Sequence, residues 1–334
     1  MPLFQPPVTP LPDDLTLHGQ TAIVTGATSG IGLALARQLL RLGASPLILA
    51  VRDVSKGEAT RQSLLSNPSL RSLPQPPVVE VLKLDAEDYT SVKTFAETFA
   101  SKHTRLHIAM LNAGVPGLRR RVAVTGHEAA VQVNYLSNVL LTLELLPLLE
   151  ATARETGRTN LAGKAGVGEG GSVLGHLDAE AKFDGMARYA DSKLLGFLFL
   201  RELSRHYGVG DGIGSEEGER RQQQQRVIVN AFCPGMVDTN MSNVLPQPFR
   251  LIADAVKAVR ARTPEVAGWI GIHAVSVAGG ETHGKMLGDK EIWEPQGFAV
   301  SDDGWRLQRM LWDETVDEMG RVTSVPGWMG KVGS

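Results

Sequence analysis

Thr25-Gly26-Ala27-Thr28-Ser29-Gly30-Ile31-Gly32 follows the apolar run Thr21-Ala22-Ile23-Val24. It precedes a helical pattern with Ile31, Leu35, Leu39 and Leu42 on one face. A buried strand, a glycine-rich turn and a helix start are what a dinucleotide pyrophosphate needs. Glycine lets the backbone come close to phosphates, and the first turn of a helix offers unpaired N–H donors at the positive end of its dipole. Such turns are common on their own. This one gains weight from Asn112-Ala113-Gly114 and Tyr189-Ala190-Asp191-Ser192-Lys193 further along the chain. Gly26, Thr28, Ser29, Gly30, Ile31 and Gly32 are therefore expected around the diphosphate.

Outward from that turn, strand-like and helix-like segments alternate. Strands are predicted at 21–24, 46–51, 78–84, 106–111 and 227–232, with a short last one at 285–287. Helices are predicted at 31–42, 91–103, 128–149 (ending near Pro147), 189–207, 248–262 and 264–278. Apolar strands alternating with helices imply an α/β fold, a doubly wound parallel sheet covered on both faces. Residues 1–14 read as an extended, proline-rich lead-in, 15–290 as one Rossmann-type domain, and 291–334 as a C-terminal extension packed on it. The stretches 157–171 and 208–226, rich in glycine or glutamine, read as flexible surface insertions, and 70–77 as a loop.

A net charge of −2 over 334 residues gives no reason to expect nucleic acid or an acidic membrane as partner. No apolar run reaches the roughly 20 residues a membrane helix needs. Cys233 is the only cysteine, so no intrachain disulfide forms, which suits a cytoplasmic setting. It is expected as a small buried side chain. His273 and His283 lack metal-ligand spacing and are expected to be structural.

The end of the second strand should meet the adenosine ribose. Here it reads Val51-Arg52-Asp53. A guanidinium at that place suits a 2′-phosphate and favours NADP(H) over NAD. Asp53 keeps NAD open, although its position is that of a helix N-cap. Asp85, after the third strand, either accepts the adenine amino group or caps the next helix. Asn112 lies at the carboxyl end of the fourth strand, where it bridges strands and faces the ligand edge. Tyr189 and Lys193 are spaced i, i+4 and share a helix face. A fixed ammonium lowers the pKa of a phenol from roughly 10, fitting it to exchange a proton with a carbonyl or alcohol oxygen.

With these residues together, the chain resembles the short-chain dehydrogenase/reductase family, most of all fungal and retinol-dehydrogenase-like members that use NADP. The resemblance rests on Thr25–Gly32, Asn112-Ala113-Gly114, Asn134, Tyr189–Lys193 and Pro234-Gly235-Met236-Val237-Asp238-Thr239. It implies that Tyr189 is the acid/base, that Lys193 lowers its pKa and holds the nicotinamide ribose, and that Asn134 holds a relay water. It also implies that Pro234, Gly235, Val237 and Thr239 wrap the nicotinamide end. The family's serine, which bonds the substrate oxygen, is hard to place. Ser172 fits best, but in another register it starts the fifth strand and no such serine remains. The resemblance further implies a lid from 248–262 and 264–278. It leaves the all-round apolar stretch 194–203 to either a homodimer interface or the tryptophan-bearing extension. The activity implied is reduction or oxidation of a hydrophobic carbonyl or alcohol, such as a secondary-metabolite intermediate. An impaired NADP-binding sensor or scaffold is the alternative from another class, and epimerisation or dehydration an alternative on the same fold.

Overall fold

β1 (Ala22–Thr25) is buried on both faces, which is why it reads as unbroken apolar residues. In the computed structural model, which describes residues 5–71, 73, 75–164, 173–207, 227–239, 247 and 249–332, it is an interior strand, third from one edge of an eight-stranded sheet. The chain continues through α1 (Gly30–Arg41), β2 (Leu47–Val51), α2 (Val54–Ser66), the single turn α3 (Pro68–Arg71), β3 (Val79–Lys83), α4 (Tyr89–Lys102) and β4 (Ile108–Leu111). Next come α5 (Ala129–Val131), a π-turn at Gln132–Leu136, α6 (Ser137–Thr156), β5 (Thr159–Lys164), α7 (Leu174–Asp178), α8 (Gly185–His206) and β6 (Val227–Cys233). The last elements are α9 (Phe249–Arg260), α10 (Pro264–Ser276), β7 (Met286–Gly288), β8 (Glu291–Trp293) and α11 (Asp302–Val322). Strand order is β3-β2-β1-β4-β5-β6-β7-β8, parallel except for the final β7–β8 pair. β1 pairs with β2 on one side and β4 on the other, so the chain leaves their carboxyl ends in opposite directions. That switch opens a crevice where ligands bind in such sheets.

One face of the sheet is covered by α4, α6 and α8, the other by α1 and α10. α10 is core: Ala267, Ile270, Ile272, Ala274 and Val275 are buried. Of the two helices expected as a lid, only α9 remains a candidate. Ala129–Thr156 is long and apolar enough to cross a membrane by composition, but 67% of its apolar window is buried inside the protein.

Several expectations change. The stretch 157–171 is not all insertion, because Thr159–Lys164 forms β5, paired on both edges with β4 and β6. Its residues, Thr-Asn-Leu-Ala-Gly-Lys, carry little strand propensity, and the two flanking ladders decide. The helix expected to end near Pro147 runs on to Thr156, since the proline lies on the exposed side while Leu149, Thr152 and Ala153 stay buried. The lead-in is anchored from Gln5 onward. Residues 208–226 lie outside the described residues.

α8 keeps Leu194, Leu195, Phe197, Leu198, Phe199, Leu200 and Leu203 buried, and α11 supplies the cover. Trp312 stacks on Phe199 and His206 at 5.5 and 4.8 Å. Trp293 meets Phe197 edge-on, Trp328 lies against Tyr207, and Trp305 sits under the Arg201 guanidinium at 3.9 Å. The extension thus takes the apolar face that a homodimer would have used.

His283 accepts from the Val229 N–H at Nδ1, so its proton sits on Nε2, facing the Tyr207 carbonyl at 3.1 Å. Burial pulls its pKa down to about 4. Between pH 6.5 and 4 the unfolded chain takes up a proton that the folded one refuses. Stability that is complete above pH 6.5 is therefore lost as pH falls to 4, by about 3 kcal/mol. His283→Gln, which can keep both hydrogen bonds and does not titrate, is expected to flatten that slope in urea unfolding at pH 7 and 4.5. An unchanged slope would assign the loss to other groups.

Candidate active site

The glycine turn has the backbone its residues demand. Gly26 and Gly30 have φ of +65° and +53°. A Cβ on Gly32 would collide with the Gly26 carbonyl and the Asn112 side chain. Ser29 precedes α1 without a side-chain hydrogen bond to its first turn, so no capping side chain claims the donors there. Asn112 Nδ2 donates to the carbonyls of Thr25 and Gly26 at 2.9 and 3.3 Å, and the Ala113 N–H donates to Thr25 Oγ1 at 2.9 Å. These bonds tie the ends of β1 and β4 together beside the turn.

A cavity of about 470 Å³ opens over this point. Gly26, Thr28, Ser29, Gly30, Ile31, Gly32, Arg52, Asp85, Asn112, Ala113, Gly114 and Thr239, all expected from sequence, line it. Val51, Lys56, Glu87, Val115 and Val133 also line it and were not foreseen. Tyr189, Lys193, Pro234, Gly235 and Val237 are not in its wall. Ser172 lies outside the described residues, and β5 ends at Lys164, well before it.

At the far end of the cavity Asp53 caps α2 through the Lys56 N–H at 3.1 Å, as its position suggested. Asp85 does not cap α4, since Asp88 does, and Asp85 remains at the cavity wall. Arg52 reaches Glu87 at 3.4 Å with a side chain 66% exposed. Arg121 holds Glu87 twice, at 3.0 and 2.8 Å, and keeps its carboxyl below the usual range. Glu87 therefore stays neutralised when Arg52 turns elsewhere. Arg52 and Lys56 give this end two cations.

At the other end, the π-turn brings in Asn134. Its side chain accepts from the Val115 N–H at 2.8 Å and donates to the Val115 carbonyl and Ser192 Oγ, both at 2.9 Å. A Cβ on Gly114 would lie 2.9 Å from Asn134 Oδ1 and 3.4 Å from Lys193 Nζ. Lys193 thus abuts the cavity wall at Gly114. Its Nζ lies 5.5 Å from the centroid of the Tyr189 ring. Burial pulls Lys193 down to about 8. Burial pushes the Tyr189 phenol up, and the neighbouring Cys233 adds to the rise. The lowering expected from Lys193 is not what this environment produces: burial sets the direction of the shift. Cys233, expected as buried, is half-exposed at the end of β6, near Tyr189.

A polar cluster missed in the sequence stands behind the site. His127 Nδ1 meets Asp178 at 2.7 Å and its Nε2 meets Glu318 at 3.1 Å. Burial opposes the charge, but both carboxylates outweigh it and raise His127 to about 9. The clamp joins α7 and α11 to the loop before α5. No sequence spacing links residues so far apart.

A doubly wound sheet with a phosphate-type turn at its switch point, and a half-buried tyrosine over a buried lysine beside it, defines a nucleotide-dependent oxidoreductase. Residues 20–167 match the short chain dehydrogenase family. Short chain dehydrogenase macD of Penicillium terrestre is 42% identical over 97% of this chain and 98% of its own. Short-chain dehydrogenase/reductase tropG of Talaromyces stipitatus is 40% identical over 97% and 98%. Among solved structures, the Pseudomonas aeruginosa RhlG/NADP complex superposes with a TM-score of 0.61 at 21% identity, covering 83% of this chain and 97% of that one. The chain belongs to the short-chain dehydrogenase/reductase family, whose members act on CH–OH and C=O groups.

Proposed function

We propose that the protein is an NADPH-dependent reductase of hydrophobic ketones. The observation that carries this is the meeting, at Gly114, of the phosphate-type cavity with the buried Lys193, which lies against Tyr189. The cavity fits the coenzyme: left-handed glycines let backbone approach a diphosphate, α1 starts without a side-chain cap, and Arg52 with Lys56 suits a 2′-phosphate. When bound, NADPH supplies the hydride for the carbonyl carbon. Tyr189, held protonated by its burial, donates its phenolic proton to the carbonyl oxygen. Lys193 holds the ribose hydroxyls, and Asn134 fixes the backbone at Val115 beside them. Gly26, Thr28, Ser29, Gly30, Ile31 and Gly32 bind the diphosphate, Asp85 meets the adenine, and Asn112, Ala113 and Gly114 shape the floor. Pro234, Gly235, Val237 and Thr239 close the nicotinamide end. A panel of lipophilic ketones, followed by NADPH absorbance with the purified protein, tests the activity.

A second function has one observation behind it. Among the described residues, the carboxyl end of β5 carries Gly163 and Lys164 and no hydroxyl to hold a substrate oxygen. A nucleotide-binding sensor would quench NADPH fluorescence and reduce nothing on the panel.

Arg52→Ala is expected to weaken NADPH binding roughly tenfold, the worth of one charge-assisted contact, and to leave NADH almost unchanged. Equal losses for both coenzymes would remove the 2′-phosphate from the account.

A further inference from the structure

The segment before β1 reaches across the molecule to the loop that closes the proposed nicotinamide end. Gln5 Oε1 accepts from the Met236 N–H at 2.9 Å. Its Nε2 donates to the Met236 carbonyl at 2.8 Å and to the Arg260 carbonyl at 2.6 Å. One amide thus bonds both legs of the excursion that leaves at Met236 and returns at Arg260. The legs also hold each other, through Arg262 N–H to the Met236 carbonyl and Asp238 N–H to the Arg262 carbonyl, both at 2.9 Å.

The anchorage continues on either side of Gln5. The Pro6 carbonyl accepts from Arg262 Nη2 at 2.8 Å, and Arg262 is itself fixed by Asp289 at 2.5 Å. Lys290 Nζ donates to the carbonyls of Thr9 and Pro10 at 2.5 and 2.9 Å. Gly235 is shaped to admit the strap. Its φ is +69°, and a Cβ there would collide with Gln5 Oε1. The same loop ends at Thr239, whose methyl carbon lies 3.3 Å from where a Cβ on Gly30 would stand, over the phosphate turn. A shift at Met236 is therefore passed along three residues to the cavity wall.

We propose that Gln5 is a positioning residue for the coenzyme, its amide setting the Pro234–Thr239 loop from the far end of the chain; this rests on the nucleotide-dependent function proposed above. Gln5 touches no part of the cavity, so it acts through Met236 and Arg260. The adenosine end, built by Arg52, Lys56 and Asp85, lies outside its reach.

Two probes separate the ends. NADPH spans the cavity, whereas adenosine 2′-monophosphate, with no 5′-phosphate to reach the glycine turn, fills only the adenosine end. In calorimetric titrations of the full chain, Gln5→Ala is expected to bind NADPH about tenfold more weakly, having lost three hydrogen bonds at a partly exposed site. Gln5→Glu is expected to be at least as weak, because a carboxylate cannot donate to the two carbonyls it would face. Both variants are expected to bind adenosine 2′-monophosphate as the parent does. Parental NADPH affinity in both variants would overturn the positioning role. So would equal loss of both probes, which marks general loosening. A parent chain that binds neither probe removes the nucleotide-dependent function, and this inference with it.

Discussion

Tyr189→Phe is expected to bind NADPH as tightly as the parent and to reduce ketones at least about a hundredfold more slowly, the lower range of what a positioned proton donor contributes. The substitution removes a single oxygen. The ring that lies against Lys193 stays, and Tyr189 is not in the wall of the nucleotide cavity, so affinity has no reason to fall. What is lost is a half-buried phenolic hydroxyl, its pKa raised above the ordinary phenol range, beside the lysine that abuts the cavity at Gly114. Cys233 is its neighbour, but a thiol is a poor hydrogen-bond donor and cannot reproduce the phenol's geometry. Fluorescence titration of NADPH together with kcat on the best ketone checks both halves. Undiminished turnover in the variant would take Tyr189 out of the proton path, whatever the rest of the fold shows.

The glycine turn was legible because its shape is written in local backbone demands. A turn that must be left-handed at Gly26 and closely approached at Gly32 leaves few residue choices, and these survive in the sequence. Asp53 was legible for the same reason, since a cap acts within three residues. β5 was not, because its strand character comes from β4 and β6 and not from its own residues. α2 was passed over because only Gly57 and Leu64 are buried on it, too few to show a period. Gln5 left no trace at all. A side-chain amide that bonds backbone atoms 231 positions away imposes no pattern on either segment. The His127 clamp is invisible on the same ground. The tryptophans of the extension signalled that rings needed burial, but not that α8 would receive them.

Trp312→Ala is expected to cost about 3–5 kcal/mol, the range for truncating a large buried aromatic side chain, and to lower the melting midpoint by on the order of 10 °C. Trp312 is fully buried, so nothing of its area is offset by solvent. Removing it leaves a void between Phe199 and His206 and strands the Gly330 carbonyl that its Nε1 holds at 2.8 Å. The damage should not stay local. α11 also carries Thr315, bonded to Tyr135 at 2.6 Å within the π-turn, and Glu318, which clamps His127. Tyr135 adjoins Asn134, so loosening α11 loosens the turn that fixes Val115 at the cavity wall. Trp312→Phe, which keeps a ring on Phe199 and gives up only the indole contact, should lose markedly less. Thermal unfolding of the three proteins, with and without saturating NADPH, checks the order. If Trp312→Ala melts with the parent, α11 is not what covers α8, and the apolar face of that helix would need another partner, with a second copy of the chain first in line.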